Sequence, residues 1–550
     1  MSGVTFEQLT GEQKEVADHQ APTLLVLGGS GVGKTTTALW AARRELTDHG
    51  RLARPIPGPR VLFVTFSRTA VAQIRSRAGG VLTGIADAVE ILTFHGLAYR
   101  LLCGFGRYVG LDGVPTIVGE ARSKLGRGAA YRDDALVYDD LMPLALRLME
   151  TPGPIADLIG LRWSLVICDE FQDTDNSEWR VLQHLGAHAR LLLLADPNQM
   201  IYGYKQGVSE LRLDAARSRP GCVEFTLPSG SHRDPTQVIP DAAGEVRWRR
   251  FDTPPVCKAV KEGRIVVYAD VPDTDSDRGT VIAGQVARLR EEGHSTIGIY
   301  AKRNSDAAGL SAALTERGID HAPIGFGEAY GESLAAMVTM MQFSRGNQPW
   351  ADVGFALGVA LTASVRSTNP PYVAVALRDG ADVPGVLGTR LAALRADLEG
   401  AGLDATAAAN VAVAAWEALG FTSGRRAWGR AGRSLAVLAA RQPAGSDDVV
   451  DRVATSVLQL RDASFVELDS GDTGAIQLMN FHQTKGREAD AVVLSYSSSD
   501  YYFDEVEPYG KSSRVLYVSM TRARHKVIVL LPSSPHPLVA PLLQHAVDLA

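Results

Sequence analysis

Cysteine is scarce in this chain: Cys103, Cys168, Cys222 and Cys257 are the only four among 550 residues, far apart and never in a Cys-x-x-Cys pair. That spacing excludes a disulfide framework, a zinc site or an iron–sulfur cluster as the organising device, and it fits a reducing cytosol. No apolar run approaches the roughly 20 residues needed to span a bilayer. The opening "MSGVTFEQLTGEQKEVADHQ" has no basic segment followed by an apolar one, so a soluble, unexported, cytoplasmic protein without a membrane partner is expected. Positive charge is also in short supply, since 56 Lys and Arg against 62 Asp and Glu leave a net charge of −6. Nothing in bulk draws the protein to a polyanion, so nucleic-acid binding needs a local groove of basic and aromatic side chains. Repeats and long low-complexity tails are missing too. The length suits three or four folding units, and the alanine-, glycine- and arginine-rich composition points to a GC-rich bacterial genome.

Glycine is concentrated at one place. In "LLVLGGSGVGKTTTALWAARR" an apolar run, Leu24 to Leu27, leads into Gly28, Gly29, Ser30, Gly31, Val32, Gly33, Lys34 and Thr35, and then into a helix-favouring segment. Strand, glycine-rich loop and helix are the context of a phosphate loop. Backbone N–H groups turn toward the phosphates, the helix N-terminus adds positive dipole, Lys34 reaches the terminal phosphates, and the Thr35 hydroxyl can ligate Mg²⁺. The loop alone leaves kinase, GTPase, transporter and nucleic-acid motor open.

Two further strands narrow the choice. "LVICDEFQDTD" predicts a buried strand, Leu165 to Cys168, that delivers Asp169 and Glu170 at its C-terminal end, where ligands of parallel α/β sheets bind. Asp169 is placed to hold the Mg²⁺ shell, and Glu170 to orient and deprotonate a water, which favours hydrolysis over transfer; the alternative is an acidic start to a helix. "LLLLADPNQMIYGYKQG" repeats the pattern, with Leu191 to Leu194 ending in Asp196 and Gln199. Gln199 can sense a γ-phosphate, while Tyr202 and Tyr204 offer flat faces to bases or else pack as half-buried residues.

In their order along the chain these segments resemble the superfamily 1A DNA helicases of the UvrD, Rep and PcrA type. "LTGEQKEV" resembles the motif that reads adenine, with Gln13 in the key position; "TFSRTAVAQI", Thr65 to Ile74, resembles motif Ia and "LTFHGLAYRLL" motif Ib. "DEFQDTD" is similar to motif II, "ADPNQMIY" to motif III, "LPSGSHRD" to motif IV, "LMNFHQTKGREADAVVL" to motif V and "LYVSMTRARHKVIVL" to motif VI.

The resemblance implies an α/β protein of two RecA-like lobes, with parallel sheets flanked by helices, helical insertions, and ATP with Mg²⁺ between the lobes. It implies that Arg522 is an arginine finger helped by Arg233, and that Glu488 contacts the ribose and His482 the strand. Thr36 joins the nucleotide-binding set. Thr65, Phe66, His95, Tyr202 and Tyr204 are expected to line a channel of stacking platforms, with Lys205 or Lys302 on phosphates, which gives single-stranded DNA binding with little sequence preference. The expected partners are single-stranded DNA and junctions of single and double strands.

The implied lobes are 1A over residues 1–98 and 155–225, interrupted by a reduced 1B insertion over 99–154, and 2A over 226–345 and 468–550, interrupted by a reduced, mainly helical 2B insertion over 346–467. Within the latter, "GRRAWGRAGR" sets Arg425, Arg426, Arg430 and Arg433 around Trp428. It reads either as a basic, aromatic patch for duplex DNA or as an ordinary solvated loop between helices; "EVRWRR" near Trp248 reads the same way. No room for an appended nuclease domain is expected after motif VI.

Departures from the family pattern stand at Thr36, where relatives have an arginine over the adenine, at His232 for a tyrosine, at Ala195 for a glycine and at Tyr204 for a tryptophan. Adenine selectivity then rests on Gln13. Two functions follow. One is an ATP-driven helicase or translocase moving 3′ to 5′, with a place in DNA repair among its pathways. The other is a nucleic-acid-gated ATPase that acts as the sensor or regulatory subunit of a repair or antiviral complex, with a protein partner such as a nuclease, as in the anti-phage system Gabija.

Overall fold

The computed structural model describes residues 5–47, 60–113, 115–125, 135–203, 207–209, 211–323, 328–365, 369–380, 383–440 and 475–548. The chain divides into two compact units, one of residues 1–101, 142–324 and 469–550, the other of residues 102–141 and 325–468.

The first unit holds two parallel sheets. One contains β1 (Thr23–Leu27), β2 (Val61–Thr65), β3 (Val89–Thr93), β6 (Leu165–Cys168), β7 (Arg190–Ala195) and β8 (Cys222–Thr226), in the order β3-β2-β6-β7-β1-β8. The short strands β4 (Thr116–Ile117) and β5 (Ala135–Leu136) pair with each other in the second unit. The other sheet of the first unit contains β9 (Ile265–Tyr268), β10 (Ile297–Ala301), β11 (Ala322–Pro323), β12 (Ile476–Asn480), β13 (Ala489–Ser495), β14 (Ala523–Leu530) and β15 (Ala546–Val547), in the order β11-β12-β10-β13-β14-β9-β15. The inner strands β1, β2, β6, β7, β10 and β13 are buried almost throughout and almost continuously apolar, as strands of a parallel sheet covered on both faces are. Val527 and Val529 enter one core of the second sheet while Ile528 and Leu530 enter the other, as the two-residue alternation of a strand requires. These are the two RecA-like lobes that the sequence implied.

The order of the first sheet positions the chemistry. β7 lies between β6 and β1, so the segments that follow β1, β6 and β7 leave one edge side by side, at the carboxyl ends where parallel sheets bind ligands.

The second unit is helical. Leu334, Met337, Met341, Leu357, Leu394, Trp416 and Trp428 share one core with Ala121 and Leu125. Arg122 donates Nε and Nη2 to the two oxygens of the fully buried Glu332, each at 2.9 Å, a bidentate fit that satisfies the carboxylate in the apolar interior. No described helix is long and apolar enough to cross a membrane.

Trp428 corrects both readings of "GRRAWGRAGR", as an aromatic DNA patch and as a solvated loop between helices. It lies in the helix Arg425–Ala440, 2% exposed, stacked on Trp416 at 4.4 Å, with Nε1 donating to Val413 O at 3.0 Å. Arg425 and Arg433 stay exposed, Arg430 lies 5.7 Å from the Tyr330 ring centre, and the Arg426 side chain is outside the described set. "EVRWRR" fares similarly, because Arg247 is buried and lies against the Trp248 ring.

Candidate functional site

The loop after β1 turns through two left-handed glycines, Gly31 at φ 81° and Gly33 at φ 90°, a region closed to most side chains. A Cβ on Gly31 would meet Ser231 Oγ at 2.3 Å, and one on Gly33 would meet Gln13 Nε2 at 2.7 Å and His232 at 3.3 Å. The "LPSGSHRD" segment thus closes directly over the loop, and His232 N donates to Gly31 O at 2.8 Å. Gln13 is held from two sides: its amide oxygen accepts from Thr10 N in a helix-capping box, and its amide nitrogen donates to Val32 O at 3.0 Å. The helix begins at Lys34, whose Nζ donates to Gly28 O and Gly29 O at 2.8 and 2.9 Å. Thr36 is half-buried in its first turn.

Carboxylates gather opposite. Thr35 Oγ1 donates to Asp169 Oδ2 at 3.1 Å. Burial, then the neighbouring Glu170, pushes the Asp169 carboxyl up to about 6, against the pull of Lys34. Glu170 takes a left-handed backbone, φ 57°, which is uncommon outside glycine and is often found at functional sites. Burial alone would raise its carboxyl, but Lys485, Lys34 and a hydrogen bond from Gln172 hold it below the usual range.

The second lobe supplies the cations. Lys485 Nζ is buried between Asp173, to which it donates, Glu170 Oε2 at 3.3 Å and Gln199 O at 2.9 Å. Arg522 Nη2 donates to Gln199 Oε1 at 3.0 Å and to Ser30 Oγ at 3.2 Å, while its Nε donates to Val518 O. Burial, then the nearby Arg233, lowers its guanidinium to about 10, which leaves it a cation at neutral pH. Arg233 spans Ser30 Oγ and Thr521 O, both at 2.6 Å, and Glu488 Oε1 at 2.7 Å. Glu488 also pairs with Arg77 and Arg524. Gln199 Nε2 donates to Asp196 Oδ2 at 2.7 Å, so Asp196, Gln199 and Arg522 form one line.

The residues expected on the strand gather partly. Phe66 and Tyr202 stack at 4.7 Å, and Tyr202 OH donates to His482 O at 2.9 Å. Thr65 is buried at the end of β2, and His95 is half-buried in the first turn of the helix Phe94–Phe105. Burial, then Lys302, lowers His482 to about 4, so it is neutral at physiological pH. Tyr204 and Lys205 lie outside the described residues.

Sequence reasoning missed Lys485, Gln172, Asp173 and Tyr517, whose hydroxyl accepts from Ser30 N at 3.4 Å. All four stood in quoted motifs. For Lys485, Gln172 and Asp173 the signal was a charged or amide side chain in or beside a tight turn; Tyr517 carried no such signal.

Residues 9–125 and 127–219 match the model of the UvrD/REP helicase N-terminal domain, and residues 476–530 match the UvrD-like helicase C-terminal domain. The chain is 43% identical over 79 residues to the RecBCD enzyme subunit RecB of Mycobacterium tuberculosis (strain ATCC 25618 / H37Rv), a match covering 14% of this chain and 7% of that one. It is 22% identical over 398 residues to the ATP-dependent DNA helicase UvrD1 of the same strain, covering 58% of this chain and 50% of the relative. YjcD of Bacillus subtilis (strain 168) is 20% identical over 629 residues, covering 98% of this chain and 81% of YjcD. The chain thus spans about half the length of UvrD1 and a small part of RecB.

Proposed function

The chain belongs to the UvrD-like superfamily 1A helicases, and on that premise we propose that it hydrolyses ATP to move 3′ to 5′ along single-stranded DNA and separate duplex. The observation that carries this reading is the meeting of two guanidiniums of the second lobe, Arg233 and Arg522, on Ser30 of the phosphate loop. Donors aimed at the place where phosphate charge develops, in a site that excludes water, are the main catalytic resource of phosphoryl transfer.

In this reading Lys34 leaves its loop carbonyls for the β- and γ-phosphates, Glu170 orients the attacking water, and Arg522 and Arg233 meet the charge on the departing γ-phosphate. Gln13 and His232 flank the nucleotide at Gly33, and Glu488 exchanges its arginine partners for the ribose. Asp169 and Thr35 offer a carboxylate and a hydroxyl within 3.1 Å of each other, hard oxygen donors suited to Mg²⁺. When bound there the ion would neutralise phosphate charge.

The strand would lie on Phe66 and Tyr202, close to His482, each stacked base contributing about 1 to 3 kcal/mol. Tyr202 sits three residues after Gln199, so the polymer platform and the residue that holds Arg522 share one short segment. That proximity supports coupling between hydrolysis and strand movement. The test is displacement of a labelled strand from duplexes with a 3′ or a 5′ single-stranded tail, with Lys34→Ala as control. ATP-dependent displacement from the 3′-tailed duplex is expected; ATP hydrolysis without displacement or movement would contradict the motor.

A further inference from the structure

We propose that Gln172 is a positioning residue for Glu170: its amide commits one carboxylate oxygen to the protein and leaves the other for the attacking water. The inference rests on the ATP-hydrolysis reading above and concerns a side chain that touches neither nucleotide nor strand in it.

Gln172 is fully buried in the turn Phe171–Asp173 that follows β6. A buried primary amide needs partners at both ends. Its Oε1 accepts from Asp196 N at 3.1 Å. A backbone N–H can only donate, so this bond decides which end of the amide is oxygen. Nε2 therefore faces the acids. It donates to Glu170 Oε2 at 2.7 Å and lies 3.5 Å from Asp173 Oδ2.

Glu170 needs such a hold. A glutamate has three side-chain torsions, and ordering a long side chain costs about 1.5 to 2 kcal/mol of rotamer freedom. Here two donors from different elements, Gln172 Nε2 and Lys485 Nζ, converge on the same oxygen, Oε2. Among the described hydrogen bonds none goes to Oε1, the oxygen that can take a proton from water. The Asp196 contact anchors the other end of the amide. Asp196 in turn holds Gln199, so the N–H that fixes Gln172 in place belongs to an ordered segment and Nε2 is left to serve Glu170.

The neutral amide is required by its neighbours. A carboxylate at this position would still accept from Asp196 N but would face Glu170 and Asp173 with like charge. A methionine would fill the space and offer no donor.

The test measures single-turnover ATP hydrolysis with single-stranded DNA for Gln172→Met and Gln172→Glu, each in the wild-type and the Glu170→Gln background. The expected result is a rate loss of about 10- to 100-fold, typical of a misplaced acid–base group. KM for ATP and the affinity for a non-hydrolysed ATP analogue should stay within about threefold. In the Glu170→Gln background either variant should cost less than about twofold, because a residue acting through Glu170 has nothing left to position. Equal losses in both backgrounds, or loss of analogue binding, would reveal a merely structural role and overturn the proposal. If Gln172→Met does not fold, Gln172→Glu carries the comparison. A wild-type protein that hydrolyses no ATP would sink the hydrolysis reading and this inference with it. A wild-type protein that hydrolyses ATP, a dead Glu170→Gln variant and Gln172 variants as fast as wild type would sink this inference alone.

Discussion

The two units bury different things. Around the phosphate loop the first unit buries Asp169, Gln172, Asp173, Asp196, Gln199, Lys485 and Arg522, while in the second unit only Glu332, Ser333 and Thr362 are buried polar residues among those described. Burying a polar or charged group costs free energy unless every partner is supplied. The first unit offsets much of that cost through a network that crosses from one sheet to the other; the second avoids the problem with alanine, leucine and methionine, and pairs its single buried acid with Arg122. Among the described residues, polar burial is thus almost confined to the first unit, the unit in which phosphate chemistry is proposed. Substitutions in the two places should therefore fail in different ways.

The largest contrast comes from Lys34→Ala. It should lower ATP hydrolysis by about 10³-fold or more while leaving the thermal unfolding midpoint nearly unchanged, which a coupled phosphate-release assay and a melting scan together check. Arg122→Ala should do the reverse. Glu332 would be left buried without its cation, costing about 3 kcal/mol of stability, read as a lower urea midpoint, with the ATPase rate per folded molecule kept within about twofold. A rate loss matching Lys34→Ala would erase the contrast. Phe66→Ala removes one stacking face and should weaken single-stranded DNA binding by about 1 to 2 kcal/mol, measurable by fluorescence anisotropy at fixed salt, without altering ATP affinity.

The smallest effect concerns pH. Burial would raise the Asp490 carboxyl, but hydrogen bonds from Ser295 and Thr296 lower it from 3.8 to about 2. A carboxyl depressed on folding contributes stability above its unfolded value and loses that contribution as pH falls through its folded value. Asp490→Asn should therefore lower the urea midpoint at pH 6, and the gap to wild type should narrow below about pH 4.

Much of the sheet edge that carries the proposed site was legible because its signals are local. Apolar runs ending in glycine or acid marked β1, β6 and β7, and the structure forms them as Thr23–Leu27, Leu165–Cys168 and Arg190–Ala195. The helix after the loop starts at Lys34 itself. What stayed illegible depends on which strand ends adjoin. Gln172 and Asp196 meet because β7 lies next to β6, and Lys485 reaches Glu170 from the other sheet; no spacing along the chain encodes either contact. Trp428 was misread for a different reason. The run of arginines drew attention away from the i, i+3, i+7 stripe of Trp428, Ala431 and Leu435, all buried, which is the mark of a core-facing helix.

In the proposed mechanism, hydrolysis needs a guanidinium delivered by the second lobe. Single-turnover ATP hydrolysis by Arg522→Ala in the presence of single-stranded DNA tests it most directly. A rate at least about 10³-fold below wild type, with affinity for a non-hydrolysed ATP analogue held within a few-fold, is the predicted result. A rate within about fivefold of wild type would contradict it.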